Sequence, residues 1–193
     1  MEQVLVVDSG VVENALKTRG LITRNVADFI DVILEKHYYC DRSFAENCDS
    51  VKQIIPYAIL RKADEVYVLE RLKKQTEKRL HGMLSIGVGG HINPDAGEAD
   101  NPIEYGLYKE LHEEVKIHSI DSVSVIGIIN DLSTPVSNYH IGVLYEIWTN
   151  EDVSVNETEK MSGQWQSVGK LHMTAYNDME SWSKIALDYL CKA

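Results

Sequence analysis

The sequence predicts an α/β (α+β) fold, an α/β/α sandwich in which helices cover both faces of a mixed β-sheet. Two patterns support this prediction. Several segments alternate in polarity or are rich in β-branched residues, as strands are, whereas longer segments place apolar residues at helical spacing. The strand-like segments are residues 3–7, 54–60, 66–71, 83–88, 123–129, 139–148 and 164–168.

The chain is expected to divide into an N-terminal α/β extension, residues 1–50, and a main domain, residues 51–193. The extension begins with a strand, and Asn25 is expected to cap the helix that follows it. Residues 38–50 mix aromatic, charged and cysteine residues without a clear period. No motif in the extension indicates a function.

The main domain is predicted to contain two β-hairpins and a C-terminal helix. Pro56 lies in the first strand of the first hairpin and marks an edge strand or a bulge. The acidic segment 150–163 is expected to be a loop. Residues 177–190 have the apolar spacing of an amphipathic helix that packs on the core.

Between the two hairpins, a glycine bend is followed by a capped helix. Asn101 is a favourable N-cap residue, Pro102 suits the first helical position, and Glu104 completes a variant of the capping box. An apolar stripe then recurs every four residues and is expected to face the core. Its members are Ile103, Leu107 and Leu111.

Three carboxylates follow on the same helix, at Glu110, Glu113 and Glu114. Like charges at these spacings repel one another, and the helix dipole disfavours negative charge near the C-terminal end. A bound cation would offset both costs, and carboxylate oxygens suit Mg²⁺, Mn²⁺ or Ca²⁺. An isolated pattern of this kind is also typical of a solvated acidic face, so the surrounding residues decide between the two interpretations.

This stretch resembles the Nudix box, G-x5-E-x7-R-E-U-x-E-E-x-G-U, where U is an aliphatic residue. The matching positions are Gly90 at the start and, in register at the end, Glu110, Leu111, Glu113, Glu114 and Ile117. Lys109 replaces the arginine of the pattern and loses its bidentate geometry, and Lys116 replaces the late glycine. The loop is longer than in the family, so Glu98 is expected to be the displaced first glutamate, with Asp95 or Glu104 as alternatives.

The resemblance implies a Nudix-like fold and a metal-dependent hydrolase. Such an enzyme would cleave a diphosphate linkage in a nucleoside-diphosphate derivative or a related organic diphosphate, with Mg²⁺ or Mn²⁺ as cofactor. The implied metal ligands are Glu110, Glu113, Glu114 and, as an outer ligand, Glu98. The first three are also the implied catalytic residues. The implied substrate-binding residues are Gly89, Gly90 and Lys109, of which the lysine is expected to orient the first of those glutamates.

The resemblance leaves the general base open. Glu157 and Glu159 are candidates, although a solvated acidic loop is the simpler interpretation. The basic residues Lys73, Lys78 and Arg79 are candidates for contacts with substrate phosphate oxygens, although a solvated loop between strands is the simpler interpretation. Two other functions are weighed. One is a ligand-sensing regulatory module without turnover, and the other is an isoprenoid-diphosphate isomerase, for which no cysteine offers an evident pocket thiol.

The charge balance argues against two classes of partner. With 19 basic and 30 acidic residues, the formal net charge is −11, whereas nucleic-acid polymers and membrane surfaces require cationic patches. A small anionic diphosphate would also approach against this field, so a divalent cation would have to reverse the sign locally. Three cysteines without metal-binding spacing, and no signal-like or membrane-spanning run, predict a cytoplasmic protein. The sequence leaves the oligomeric state open, and a homodimer is one candidate because dimers are common among similar proteins.

Overall fold

The computed structural model describes residues 1–13, 17–71 and 83–192, without the side chains of Arg71 and Glu98. In these ranges, strands and helices form a mixed α+β arrangement, which confirms the predicted fold class. The strands are β1 (Gln3–Asp8), β2 (Gly20–Ile22), β3 (Tyr38–Asp41), β4 (Val51–Lys62), β5 (Glu65–Arg71), β6 (Leu84–Ser85), β7 (Gly87–Gly89), β8 (Val115–Lys116), β9 (Ser122–Asn130), β10 (His140–Trp148), β11 (Ser154–Val155) and β12 (Met161–Ser167).

The helices lie between these strands and at the C-terminal end. The α-helices are α1 (Ser9–Glu13), α2 (Val26–Lys36), α3 (Arg42–Ala45), α4 (Pro102–Glu114), α5 (Val168–Thr174) and α6 (Ser181–Leu190). Short 3₁₀ helices cover Pro94–Glu98, Ser137–Tyr139 and Tyr176–Asp178. No helix within the described ranges has both the length and the apolar character needed to cross a membrane.

The chain forms two compact units. The first comprises Met1–Tyr57, Gly89–Lys109 and Val125–Leu144. Four strands with residues in this unit are neighbours in the sheet, in the order β4–β10–β9–β2. Strand β1 pairs antiparallel with both β3 and β4, in a register that places Val4 opposite Cys40. Residues 4–7 of β1 are all buried, so this N-terminal strand is part of the core of the unit.

The second unit comprises Ala58–Val88, Glu110–Ser124 and Tyr145–Ala193. Its strands follow the order β12–β5–β4, with β6 paired to β5. A separate two-stranded sheet joins β8 to β11, in a register that places Val115 opposite Val155. The predicted boundary at residue 50, between the N-terminal extension and the main domain, stays a prediction.

Asn25 is the N-cap residue of helix α2, as predicted, but its side chain does not cap the helix, so that part of the prediction is wrong. Its backbone is left-handed, with φ at 54°, and its side chain makes no capping hydrogen bond. Its carbonyl still accepts the Phe29 N–H at 3.2 Å. Asparagine tolerates the left-handed region better than most residues do, and here that backbone preference decides its role.

Other local predictions are also wrong. The acidic segment 150–163 contains β11 and the start of β12, so it is not all loop. Helix α6 begins at Ser181 rather than at residue 177, because Met179 bridges to Leu84 in an extended conformation. Pro56 lies within β4, which has a neighbouring strand on each side, so the edge-strand interpretation is excluded.

Gly89 lies very close to strand β4. A Cβ atom at this position would be 2.4 Å from the Pro56 carbonyl oxygen and 3.2 Å from the Tyr57 Cα atom. Real Cβ atoms essentially never approach within 3.0 Å of another heavy atom, and here the obstacle is backbone that cannot rotate away. A glycine is therefore required by packing alone, whatever further role Gly89 has.

His91 is mostly buried directly after the glycine bend, where its ring centroid lies 5.5 Å from that of His140. No hydrogen-bond partner reaches its Nε2 atom within the described part of the chain. Burial lowers the pKa of His91 to about 4, and the charges of Arg42 and His140 act in the same direction. Glu2 and Glu46 oppose this shift without cancelling it. The imidazole is therefore neutral at physiological pH.

Replacing Gly89 by alanine is expected to destabilise the fold by about 2–3 kcal/mol, because overpacking against rigid backbone displaces β4 or β7. Chemical denaturation followed by circular dichroism measures this free energy of unfolding. Gly169→Ala is the control, since a Cβ at Gly169 meets no atom within 4 Å. If both variants unfold at the wild-type denaturant concentration, the close approach of Gly89 is not a constraint.

In the wild type, His91 is expected to lower the free energy of unfolding as the pH falls from about 6.5 towards 4, by roughly 3 kcal/mol at most. In this window His91 takes up a proton in the unfolded chain but not in the folded one, because its folded pKa is about 4. His91→Asn removes this contribution, so its urea-denaturation midpoint should depend less on pH. His118→Gln, at an exposed position, should retain the wild-type dependence; parallel profiles for all three proteins would contradict the assignment.

Candidate active site

Helix α4 begins where the sequence predicts, and its first turn is capped. The Asn101 Oδ1 atom accepts hydrogen bonds from the backbone N–H groups of Ile103 and Glu104, both at 3.1 Å. These bonds satisfy two of the amides that the first turn leaves without intrahelical partners. Because the starting residue is set, the angular position of every later side chain on the helix is set as well.

The predicted apolar stripe anchors the helix, since each of its members is at most 1% exposed. The stripe consists of Ile103, Leu107 and Leu111. Gly106 packs on the side of the helix towards the glycine bend, where a Cβ would lie 2.8 Å from Ile92 Cγ1. Close packing of this kind leaves the helix little freedom to rotate about its axis.

The three predicted ligands follow the stripe on the last turns of α4. Glu110 and Glu114 are half-buried, and Glu113 is exposed. In the conformation shown, no three His, Cys, Asp or Glu side chains among the described residues are grouped closely enough to hold a metal ion. The Glu98 side chain lies outside the described set. The ligand assignments of all four glutamates therefore stay predictions.

Lys109 joins the helix to the lengthened loop. Its Nζ atom lies 2.8 Å from the Asp95 Oδ2 atom, and Asp95 belongs to the 3₁₀ helix Pro94–Glu98. Both side chains are partly exposed, so this ion pair adds about 1 kcal/mol or less to stability. The ion pair matters more for position than for stability. It holds the lengthened loop, which is expected to carry the first glutamate of the box, next to Lys109, which replaces the arginine of the box.

The segment after the glycine bend is held by the N-terminal strand. The Leu5 N–H donates to the Ile92 carbonyl at 2.8 Å, and the Asn93 Nδ2 atom donates to the Gln3 carbonyl at 2.9 Å. Glu2, which also contacts Asn93, forms an ion pair with Arg42 at 3.1 Å. The N-terminal residues, whose function no motif indicated, thus support the loop that leads into the candidate site.

Asn156 closes the other end of α4, and sequence reasoning missed it. Its Nδ2 group donates to the carbonyls of His112 at 2.8 Å and Glu113 at 3.0 Å. Its backbone N–H donates to the Glu114 carbonyl at 2.9 Å. No local signal marks this residue, because its position depends on the pairing of β11 with β8.

The candidate general bases lie directly beyond Asn156. The Glu157 carboxylate accepts a hydrogen bond from Lys160 Nζ at 2.9 Å, and the Glu157 side chain is exposed. Glu159 is exposed as well. Neither observation assigns a catalytic role, so both residues stay candidates. Lys73, Lys78 and Arg79, the candidates for phosphate contacts, lie outside the described residues.

Gly89, Gly90 and Lys109 belong to the first compact unit, whereas Glu110, Glu113 and Glu114 belong to the second. The substrate-binding role of the first three residues stays a prediction. What the structure adds is a packing reason for Gly89 and an ion-pair partner for Lys109.

Two similar proteins cover most of the chain. Protein YmaB of Bacillus subtilis (strain 168) is 35% identical over 172 residues, which span 86% of this chain and 84% of that protein. The crystal structure of Tm1382, a protein assigned to the Nudix hydrolases, matches with a TM-score of 0.86 and 27% identity over 99% of both chains. The predicted Nudix-like fold is thereby confirmed.

A more distant structure shares the fold alone. It is the bifunctional NMN adenylyltransferase/ADP ribose pyrophosphatase of Francisella tularensis, complexed with AMP and a Mn ion. The match has a TM-score of 0.53 and 14% identity, over 73% of this chain and 41% of that one.

No protein-family model matches the sequence. The assignment therefore rests on the curated relative, on the full-length structural match and on the box residues at the end of α4. The chain belongs to the Nudix hydrolase family, and its assignment as a Nudix-type pyrophosphohydrolase follows from that membership.

Proposed function

We propose that this protein is a divalent-metal-dependent hydrolase that cleaves the diphosphate linkage of a nucleoside-diphosphate derivative or a related organic diphosphate. The observation that carries the proposal is the set of three carboxylates, Glu110, Glu113 and Glu114, on a helix held at both ends in a Nudix hydrolase. The Francisella protein, which shares the fold, binds AMP and a Mn ion. That complex supports nucleotide chemistry in a protein that contains this fold.

The donor set suits Mg²⁺ or Mn²⁺. Three carboxylates within little more than one helical turn offer hard oxygen ligands, and glutamate side chains have enough rotatable bonds to converge on one ion. Glu110, Glu113 and Glu114 would hold the ion, with Glu98 as an outer ligand. When bound, the ion supplies Lewis-acid stabilisation of the negative charge that develops on phosphoryl oxygens.

The protein's own contribution to diphosphate cleavage is mainly positioning and local electrostatics. The Gly90 backbone would approach the diphosphate closely, and Lys109 would orient Glu110 while it holds Asp95. A carboxylate, either on α4 or in the Glu157–Glu159 loop, would accept a proton from the attacking water.

We further propose that the protein acts in the cytoplasm as a homodimer. Cys40, Cys48 and Cys191 are free thiols, which suit a reducing compartment. Size-exclusion chromatography with light scattering measures the oligomeric state.

Hydrolysis of a substrate panel tests the proposed activity. The panel contains ADP-ribose, a dinucleoside polyphosphate, a nucleoside triphosphate and an isoprenoid diphosphate, each with and without Mg²⁺. Release of nucleoside monophosphate or phosphate only with Mg²⁺ is the expected result, because the net charge of −11 opposes an anionic substrate unless a cation intervenes. Tight binding of one panel member without turnover would instead favour a ligand-sensing module.

Replacing Glu113 or Glu114 by glutamine is expected to lower kcat/KM by about 100-fold or more, equivalent to about 3 kcal/mol, because each change removes a charged ligand oxygen. The fold should be retained, since both changes are nearly isosteric. Glu35→Gln, at an exposed position on helix α2, is the control and should keep the wild-type rate. Near-normal rates in both test variants would rule out the ligand assignment.

A further inference from the structure

We propose that Asn156 is a positioning residue that holds the last turn of α4, so that Glu113 and Glu114 are presented to the divalent cation. The inference rests on the proposed function, because it assigns those glutamates to the metal. It adds a residue outside the Nudix box, about 40 positions further along the chain, to the set on which metal binding depends.

Three hydrogen bonds from one residue close the helix. The last four carbonyls of an α-helix have no intrahelical donor, and Asn156 supplies donors to three consecutive carbonyls in that turn, those of His112, Glu113 and Glu114. The distances, 2.8, 3.0 and 2.9 Å, lie in the normal range for N–H···O bonds. Two of these bonds use the two hydrogens of the side-chain amide, so the side chain acts as a double donor.

The end of α4 lacks the usual means of termination. Helices often end with a glycine in the left-handed conformation, whose amide satisfies the free carbonyls. Here the chain passes from Glu114 directly into strand β8, and Lys116 stands where the family pattern has its late glycine. The donors come instead from a distant segment, which β11 brings alongside through the pairing of Val155 with Val115.

The chemical type of Asn156 suits the charge of its surroundings. Three carboxylates already lie near the negative end of the helix dipole, and carbonyl oxygens without donors would add to the unfavourable field. A neutral amide donates to these carbonyls without carrying a positive charge that would compete with the metal for the carboxylates. An aspartate at this position would instead place acceptor oxygens against the carbonyls.

Mn²⁺ binding without substrate tests the role of Asn156. Titration calorimetry on Asn156→Ala is expected to show at least about tenfold weaker Mn²⁺ affinity than in the wild type, as is typical when support for a metal ligand is lost. Amide hydrogen exchange in residues 112–116 should become about tenfold faster or more, because the last turn opens more often. The circular dichroism spectrum of Asn156→Ala without Mn²⁺ should equal that of the wild type, which separates weaker binding from a loss of folding, because excess Mn²⁺ would itself stabilise the folded state.

Asn150→Ala is the matched control. Asn150 also donates from its side-chain amide, to Asp121 Oδ2 at 2.8 Å, but this bond does not involve α4. Its Mn²⁺ affinity and its exchange in residues 112–116 should equal those of the wild type. Asn156→Ser, which retains the backbone N–H and one side-chain donor, should give an intermediate affinity, and it decides the question if Asn156→Ala does not fold.

Two outcomes would overturn the inference, and they differ in whether the proposed function stands. If the wild type binds Mn²⁺ and the folded Asn156 variants bind it within twofold of the wild type, the positioning role is wrong while the proposed function stands. If the wild type itself neither binds Mn²⁺ nor hydrolyses any member of the panel, the proposed function is wrong, and the role of Asn156 falls with it.

Discussion

The fixed placement of helix α4 is the constraint on which the candidate site depends. Asn101 holds the first turn, Asn156 holds the last, and the fully buried stripe between them resists rotation about the helix axis. Each of these interactions is individually modest, since a cap or a net hydrogen bond contributes on the order of 1 kcal/mol. Together they set both the direction and the angular position of one short helix. A carboxylate set for a cation needs this preorganisation, because every degree of freedom left in the helix would have to be frozen when the ion binds.

The lengthened loop before helix α4 is also held by specific contacts. Lys109 ties the helix to the lengthened loop through Asp95, and strand β1 holds the segment at Ile92 and Asn93. The lengthened loop therefore has defined partners at its beginning and near its middle, although it departs from the usual length of the Nudix box. A longer loop loses more conformational entropy when its ends are held together. Contacts along the loop help to offset this cost.

The sequence was informative wherever the signal was local. The Asn-Pro start of α4, its apolar stripe and its carboxylates all follow from spacing within a few residues, and the structure places the cap and the stripe as expected. Asn25 shows the limit of such signals, because the same residue type serves either as a side-chain cap or in a left-handed turn. Asn156 and β11 could not be predicted, since their positions depend on the register of a strand pair distant in the sequence. The proposed roles of the glutamates in metal binding rest on the family pattern, because their spacing alone is also typical of a solvated acidic face.

The bond between Asn93 and Gln3 has a consequence for how the protein is made. These residues are separated by 90 positions, so the first strand emerges from the ribosome long before its loop partner exists. At typical synthesis rates of about 5–20 residues per second, the buried residues of β1 wait for several seconds without that partner. Pairings so distant along the chain also slow folding after release. Strand β1 has earlier partners, since it pairs with β3 and its Val4 and Val6 pack with Ala45 and Val51. The bond to Asn93 is therefore expected to form late, on a strand that is already in place.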